Sequence, residues 1–149
     1  MNLSTHLNTE QLEQGNITGL ESQLQQNQRP ETHGPKSTNP NLKGDYWEYY
    51  VIGIALEKGA EVFKNVCCTG KVDLVLRING QLIPIDVKQK TWIASRNLFA
   101  AVHGVRIAKG VWGVAVDPST KKVSWYCKHG TKLKYKKFQC PPGLEDFWS

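Results

Sequence analysis

The sequence predicts an α/β domain of the mixed α+β kind, with helices packed on one mixed sheet behind a flexible polar N-terminal tail. Three observations carry this. Residues 1–43 hold twelve Asn and Gln, three Pro and no Phe, Trp or Tyr, a composition that buries too little apolar surface to offset the entropy lost on ordering. Residues 45–58 place apolar side chains at helical spacing. From Val72 to Lys88 the period falls to two, interrupted by Asn79-Gly80, a strong short-range sign of a hairpin turn.

In the tail, Ile17, Leu20 and Leu24 lie at helical spacing, but Gly15 and Gly19 interrupt them. Residues 1–43 are therefore read as tail and residues 44–149 as the domain. The first helix is expected over Asp45–Lys58, with Trp47, Tyr50, Val51, Ile54 and Ala55 on its inner stripe and Gly59 as its stop. Glu61 to Cys68 is β-rich and reads as a first strand, and Thr69-Gly70-Lys71 reads as the turn out of it. A two-strand hairpin follows, then a second helix from Ser95 to Gly104. Gly110–Val116 reads as a buried strand, Asp117–Thr120 as a turn and Lys122–Cys127 as the last strand. The final nine residues carry Phe147 and Trp148, which are expected to close the core.

The hairpin concentrates the chemistry. A two-residue turn makes Ile78 face Gln81, and stepping outward along both strands makes Asp73 face Asp86 in a close, non-hydrogen-bonded pair. Pro84 falls at an open position, where its missing N–H is not required. Two like charges directly opposite one another destabilise a sheet, and a divalent cation removes the conflict. Lys88 projects from the same face as Asp86, two residues on. The constellation is two carboxylates and a lysine.

Composition narrows the remaining classes. The chain has 149 residues, 40% of them apolar, and a net charge of +6. The charge is uneven: residues 44–149 carry 16 basic against 9 acidic side chains, whereas the tail is slightly acidic. A basic domain points to a polyanionic partner such as nucleic acid. There is no long apolar run and no leader-like N-terminus, so a cytoplasmic, intracellular protein without membrane partners is expected. No P-loop, dinucleotide fingerprint or nucleophile elbow occurs, and no small-molecule cofactor is expected. Cys67, Cys68, Cys127 and Cys140 are read as reduced thiols, with a zinc site on Cys127, His129 and Cys140 as the competing reading. His103 is read as a packing or surface residue.

The run Asp73-x12-Asp86-Val87-Lys88 resembles the motif of the PD-(D/E)XK nuclease superfamily, with Val72 where the name has Pro. The resemblance covers 16 residues. It implies a restriction-endonuclease-like core, helix-strand-strand-strand-helix-strand, and a metal-dependent DNA endonuclease hydrolysing phosphodiester bonds. Asp73 and Asp86 would be metal ligands, with the Val87 carbonyl as a third, and Lys88 would serve the attacking water. Mg²⁺ is the expected metal, with Mn²⁺ able to substitute. The superfamily also implies a glutamate from the first helix, here Glu48, although Asp45-x-x-Glu48 reads equally as a capping box. Gln89 and Lys90 are accessory candidates.

Lys71, Arg96, Lys128, Lys132, Lys134, Lys136 and Lys137 are candidate nucleic-acid contacts. Lys132, Lys134 and Lys136 recur every second residue, so an extended segment would point one cationic edge at a phosphate backbone. Within the superfamily, so small a domain resembles junction resolvases, which are structure-specific, or intron homing endonucleases, which are site-specific. Either would act as a homodimer or higher symmetric oligomer, because one site cuts one strand. The competing readings are a catalytically silent basic nucleic-acid-binding domain, and a structural or inhibitory protein with no nucleic-acid partner.

Overall fold

The computed structural model describes residues 28–66, 70–100, 107–126 and 140–149. Helix α1 (Pro40–Glu57) starts five residues before the expected Asp45. Asn39 caps it, its side chain accepting the Asn41 N–H at 3.0 Å, and Pro40 supplies a fixed φ at the first helical position. Asp45 and Glu48 thus lie inside the helix, and the capping-box reading is withdrawn. Trp47, Val51 and Ala55, one turn apart, form the buried stripe.

Among the described residues seven strands follow: β1 (Glu61–Lys64), β2 (Leu74–Ile78), β3 (Gln81–Gln89), β4 (Thr91–Ile93), β5 (Leu98–Ala100), β6 (Trp112–Val116) and β7 (Val123–Tyr126). Five of them make one mixed sheet in the order β1-β2-β3-β6-β7. β1, β2 and β3 run antiparallel, β3 and β6 parallel, and β6 and β7 antiparallel. The fold class is the expected mixed α+β one.

The β2–β3 hairpin has the register deduced from its turn, with Ile78 opposite Gln81 and Leu74 opposite Ile85. Asn79 and Gly80 both take positive φ, 50° and 80°, as a twisted two-residue turn demands. Leu74, Leu76, Ile83, Ile85, Val87, Val114, Val116 and Trp125 point to one face and pack with Trp47, Val51 and Ala55 of α1. Leu144 and Trp148 join the same core, and Trp125 Nε1 donates to the Leu144 carbonyl at 2.7 Å. The expected closure by the C-terminal residues therefore holds.

The second helix is corrected. Ser95 lies in a single 3₁₀ turn (Ala94–Arg96), and β4 and β5 form a separate two-stranded hairpin around it. Asn97 takes the left-handed conformation, φ 49°, which reverses the chain, and Trp92 and Phe99 then meet edge to face, centroids 5.2 Å apart. That cross-strand aromatic pair and the αL turn favour strands over the helical pattern of the same apolar residues. His103 and the rest of the predicted helix, 101–104, lie outside the described residues.

Candidate active site on the open face of the sheet

Strand alternation sends Asp86 and Lys88 to the face opposite α1. Asp86 is 7% exposed, the one buried charged residue among those described. Lys88 Nζ lies 2.5 Å from Asp86 Oδ1, so the lysine partly neutralises that carboxylate. In the parallel register Asp86 sits beside Gly113, and Gly113 beside Tyr126 of β7. A Cβ on Gly113 would lie 2.7 Å from Tyr126 Cδ1. Glycine is required there because the tyrosine ring occupies that space beside the row leading to Asp86.

Asp73 departs from simple pairing. β2 begins at Leu74, one residue after Asp73, and the Asp73 N–H donates to the Ile85 carbonyl at 2.9 Å. Its carboxylate then reaches past the strand end, where Oδ2 accepts the Val87 N–H at 2.7 Å. The two aspartates line one cleft, close enough for Asp86 to act on the Asp73 carboxyl. Burial pushes the Asp73 carboxyl above the usual range, and Asp86 adds to this through hydrogen bonding and like charge; the Val87 N–H and Lys88 offset only part.

A cleft of about 550 Å³ holds Asp73, Asp86 and Lys88, with Gly70, Lys71, Ile107, Ala108 and Lys109 around them. A second cleft, about 590 Å³, shares Asp73 and is lined by Asp45, Glu48, Tyr49 and Lys64 among others. Glu48 is ion-paired with Lys64 of β1. Burial opposes the Lys64 charge, but Glu48, with Tyr49 and Asp45, outweighs it and holds the ammonium above the usual lysine range.

The fold has a counterpart among solved structures. No protein-family model matches the sequence, and no curated protein does. A bacterial homing endonuclease, I-Ssp6803I, is structurally similar, with 20% identity over 59% of this chain and 68% of its own, at a TM-score of 0.51. The fold resembles that of a homing endonuclease.

The remaining candidates separate. Gln89 turns to the helix side, as alternation from Lys88 requires, and its Oε1 accepts Trp47 Nε1–H at 3.0 Å; it holds α1 to the sheet and faces away from Asp86 and Lys88. Lys90 lies 3.8 Å from Asp117 rather than at the aspartate pair. Arg96 is exposed in the 3₁₀ turn. Lys128, Lys132, Lys134, Lys136 and Lys137 lie outside the described residues, as do Cys67, Cys68, Cys127 and His129. Burial, then Glu145 and Asp146, raise the Cys140 thiol above its ordinary range. No helix among the described residues is long and apolar enough to cross a membrane.

The sequence reading missed Lys109. It is the second residue of a turn closed by the Val111 N–H on the Ala108 carbonyl at 3.1 Å, with Gly110 at φ 79°. Its closeness to Asp86 follows from the parallel pairing of β6 with β3, which no local pattern announces.

Among the described residues no three His, Cys, Asp or Glu side chains gather into a metal cage. The donor set nonetheless fits Mg²⁺, which binds through one or two carboxylates and keeps several waters. Two neighbouring carboxylates, one of them resisting ionisation through burial first and through its neighbour second, are such a pair.

Proposed function

We propose that this chain is a metal-dependent DNA endonuclease acting at the Asp73–Asp86–Lys88 cleft. The observation that carries the reading is the meeting of two carboxylates beside a lysine in a cleft whose other charged groups, Lys71 and Lys109, are cationic. A sheet does not gain stability from opposed carboxylates, so a chemical reason for keeping them is wanted.

Asp73 and Asp86 would hold Mg²⁺ or Mn²⁺, with the Val87 carbonyl beside them. When bound, the metal supplies an activated water and neutralises charge on the phosphoryl oxygens. The protein's own contribution is at Lys88. Its ammonium, held by Asp86, sits where it orients the attacking water and stabilises negative charge growing on the phosphoryl group. Asp86 positions that ammonium. Glu48, in the adjoining cleft that shares Asp73, supplies an outer carboxylate once it exchanges Lys64 for the hydrated cation.

The likeness to a homing endonuclease favours a site-specific enzyme over a junction-specific one; a homodimer or higher symmetric oligomer would let two related sites cut both strands. A catalytically silent nucleic-acid-binding domain is the second reading. It is favoured by the Val87 N–H bond to Asp73, which gives that aspartate a structural reason to be present.

Incubating the protein with linear and four-way-branched DNA, in Mg²⁺ and in EDTA, separates the readings. Cutting in Mg²⁺ alone supports the nuclease, and the preferred substrate assigns the subclass. Binding of both DNAs without cutting in Mg²⁺ or Mn²⁺ supports the silent domain.

A further inference from the structure

The two clefts that meet at Asp73 differ in charge. One sets Lys71, Lys88 and Lys109 against Asp73 and Asp86; the other sets Lys64 against Asp45, Glu48 and Asp73. A phosphodiester backbone is drawn to the first and repelled by the second. Lys71 and Lys109 are exposed, and among the described residues neither has an ion-pair partner, in contrast to Lys64, Lys88 and Lys90. Lys71 precedes β2 and Lys109 precedes β6, and the order β2-β3-β6 puts them on opposite flanks of the strand that carries Asp86 and Lys88.

From this we infer that the scissile DNA strand lies in the lysine-lined cleft and not in the Glu48 cleft, with Lys71 and Lys109 as a pair of phosphate-holding residues on either side of the aspartates. The inference rests on the nuclease reading for the word scissile, but the placement of DNA is testable without cutting. Lys71 and Lys109 are positioning residues: each holds a phosphate next to the reacting one, and neither needs to touch the reacting atoms. The turn at Ala108–Val111 fixes where Lys109 starts from, so its ammonium meets the backbone at a set register along β3.

The test is fluorescence anisotropy of a labelled DNA duplex in EDTA across a salt series, with wild type, Lys71→Ala, Lys109→Ala, Lys109→Arg and Lys64→Ala. The expected result is that Lys71→Ala and Lys109→Ala each lower the slope of log affinity against log salt by about 0.9 and weaken binding roughly fivefold to tenfold at moderate salt. Lys109→Arg keeps the wild-type slope, which shows that the charge and not the fold was lost, and Lys64→Ala leaves the slope unchanged. Unchanged slopes for both Lys71→Ala and Lys109→Ala overturn the inference, and so does a fall confined to Lys64→Ala. In parallel cleavage assays, KM rises in the two alanine variants while kcat holds. Lysine-dependent binding by a wild type that never cuts leaves the placement standing and removes the nuclease.

Discussion

Asp73 Oδ2 accepts the Val87 N–H at 2.7 Å and so closes a ladder position that β2, beginning at Leu74, leaves open. The same carboxyl is half of the aspartate pair. Structure and proposed chemistry therefore meet in one side chain, and substitutions can separate them. Asp73→Asn keeps an acceptor for Val87 and loses the charge; Asp73→Ala loses both. The thermal midpoint of Asp73→Asn is expected at or above the wild-type value in EDTA. Asp73→Ala should be less stable by about 1–3 kcal/mol, the cost of leaving a partly buried N–H unmet. Cutting should be lost in both variants, which a melting curve and a nicking assay will report together.

The raised Asp73 carboxyl gives a pH dependence of definite sign. Between the ordinary value of 3.8 and its higher folded value, the folded protein binds more protons at this site than the unfolded one. The contribution is therefore full below 3.8 and is lost as pH rises through the folded value. Asp117 acts oppositely: burial resists its ionisation, but the Ser119 hydroxyl and N–H, the Thr120 N–H and Lys90 overcome this and hold it below the ordinary range, so its contribution is lost as pH falls. Denaturant melts of wild type and Asp73→Asn in EDTA isolate the first effect. The stability gap should widen in favour of the variant as pH rises, and adding Mg²⁺ at neutral pH should narrow it.

Gly113→Ala puts a methyl group 2.7 Å from Tyr126 Cδ1 and 3.0 Å from its Cβ, in a strand paired on both sides. Swinging the ring away about Cα–Cβ leaves the 3.0 Å contact with Cβ in place. A loss of about 1–3 kcal/mol is expected, as for other overpacked interiors. Gly113→Ala should cost less when made in a Tyr126→Ala background than in wild type, which a double-mutant cycle by urea unfolding will show.

Gln89→Leu separates an anchor from a catalyst. It removes the acceptor for Trp47 Nε1–H and should cost about 1 kcal/mol of stability, with kcat unchanged. A fall in kcat beyond that explained by unfolding would return Gln89 to the chemistry.

How far these features were legible in the sequence depends on how local their causes are. The Asn79-Gly80 turn determines which residues oppose one another, so the approach of Asp73 to Asp86 could be deduced without a structure. The true helix start was also written locally, as Asn39 before Pro40, but the polar composition of the tail masked it. Over Ser95–Gly104 the apolar spacing suited a helix, and what favours strands is the contact of Trp92 with Phe99 and the left-handed Asn97. Lys109 beside Asp86 and Lys64 on Glu48 depend on which strands and helix become neighbours. No window along the chain contains that information.

The account stands most directly on Lys88. DNA cleavage and DNA binding should be measured together for wild type and Lys88→Ala, each in Mg²⁺ and in EDTA. The account predicts that wild type cuts in Mg²⁺ alone, whereas Lys88→Ala binds within about tenfold of wild type and cuts at least about 100-fold more slowly. If Lys88→Ala cuts as fast as wild type, or wild type cuts equally well in EDTA, the Asp73–Asp86–Lys88 cleft is not the active site.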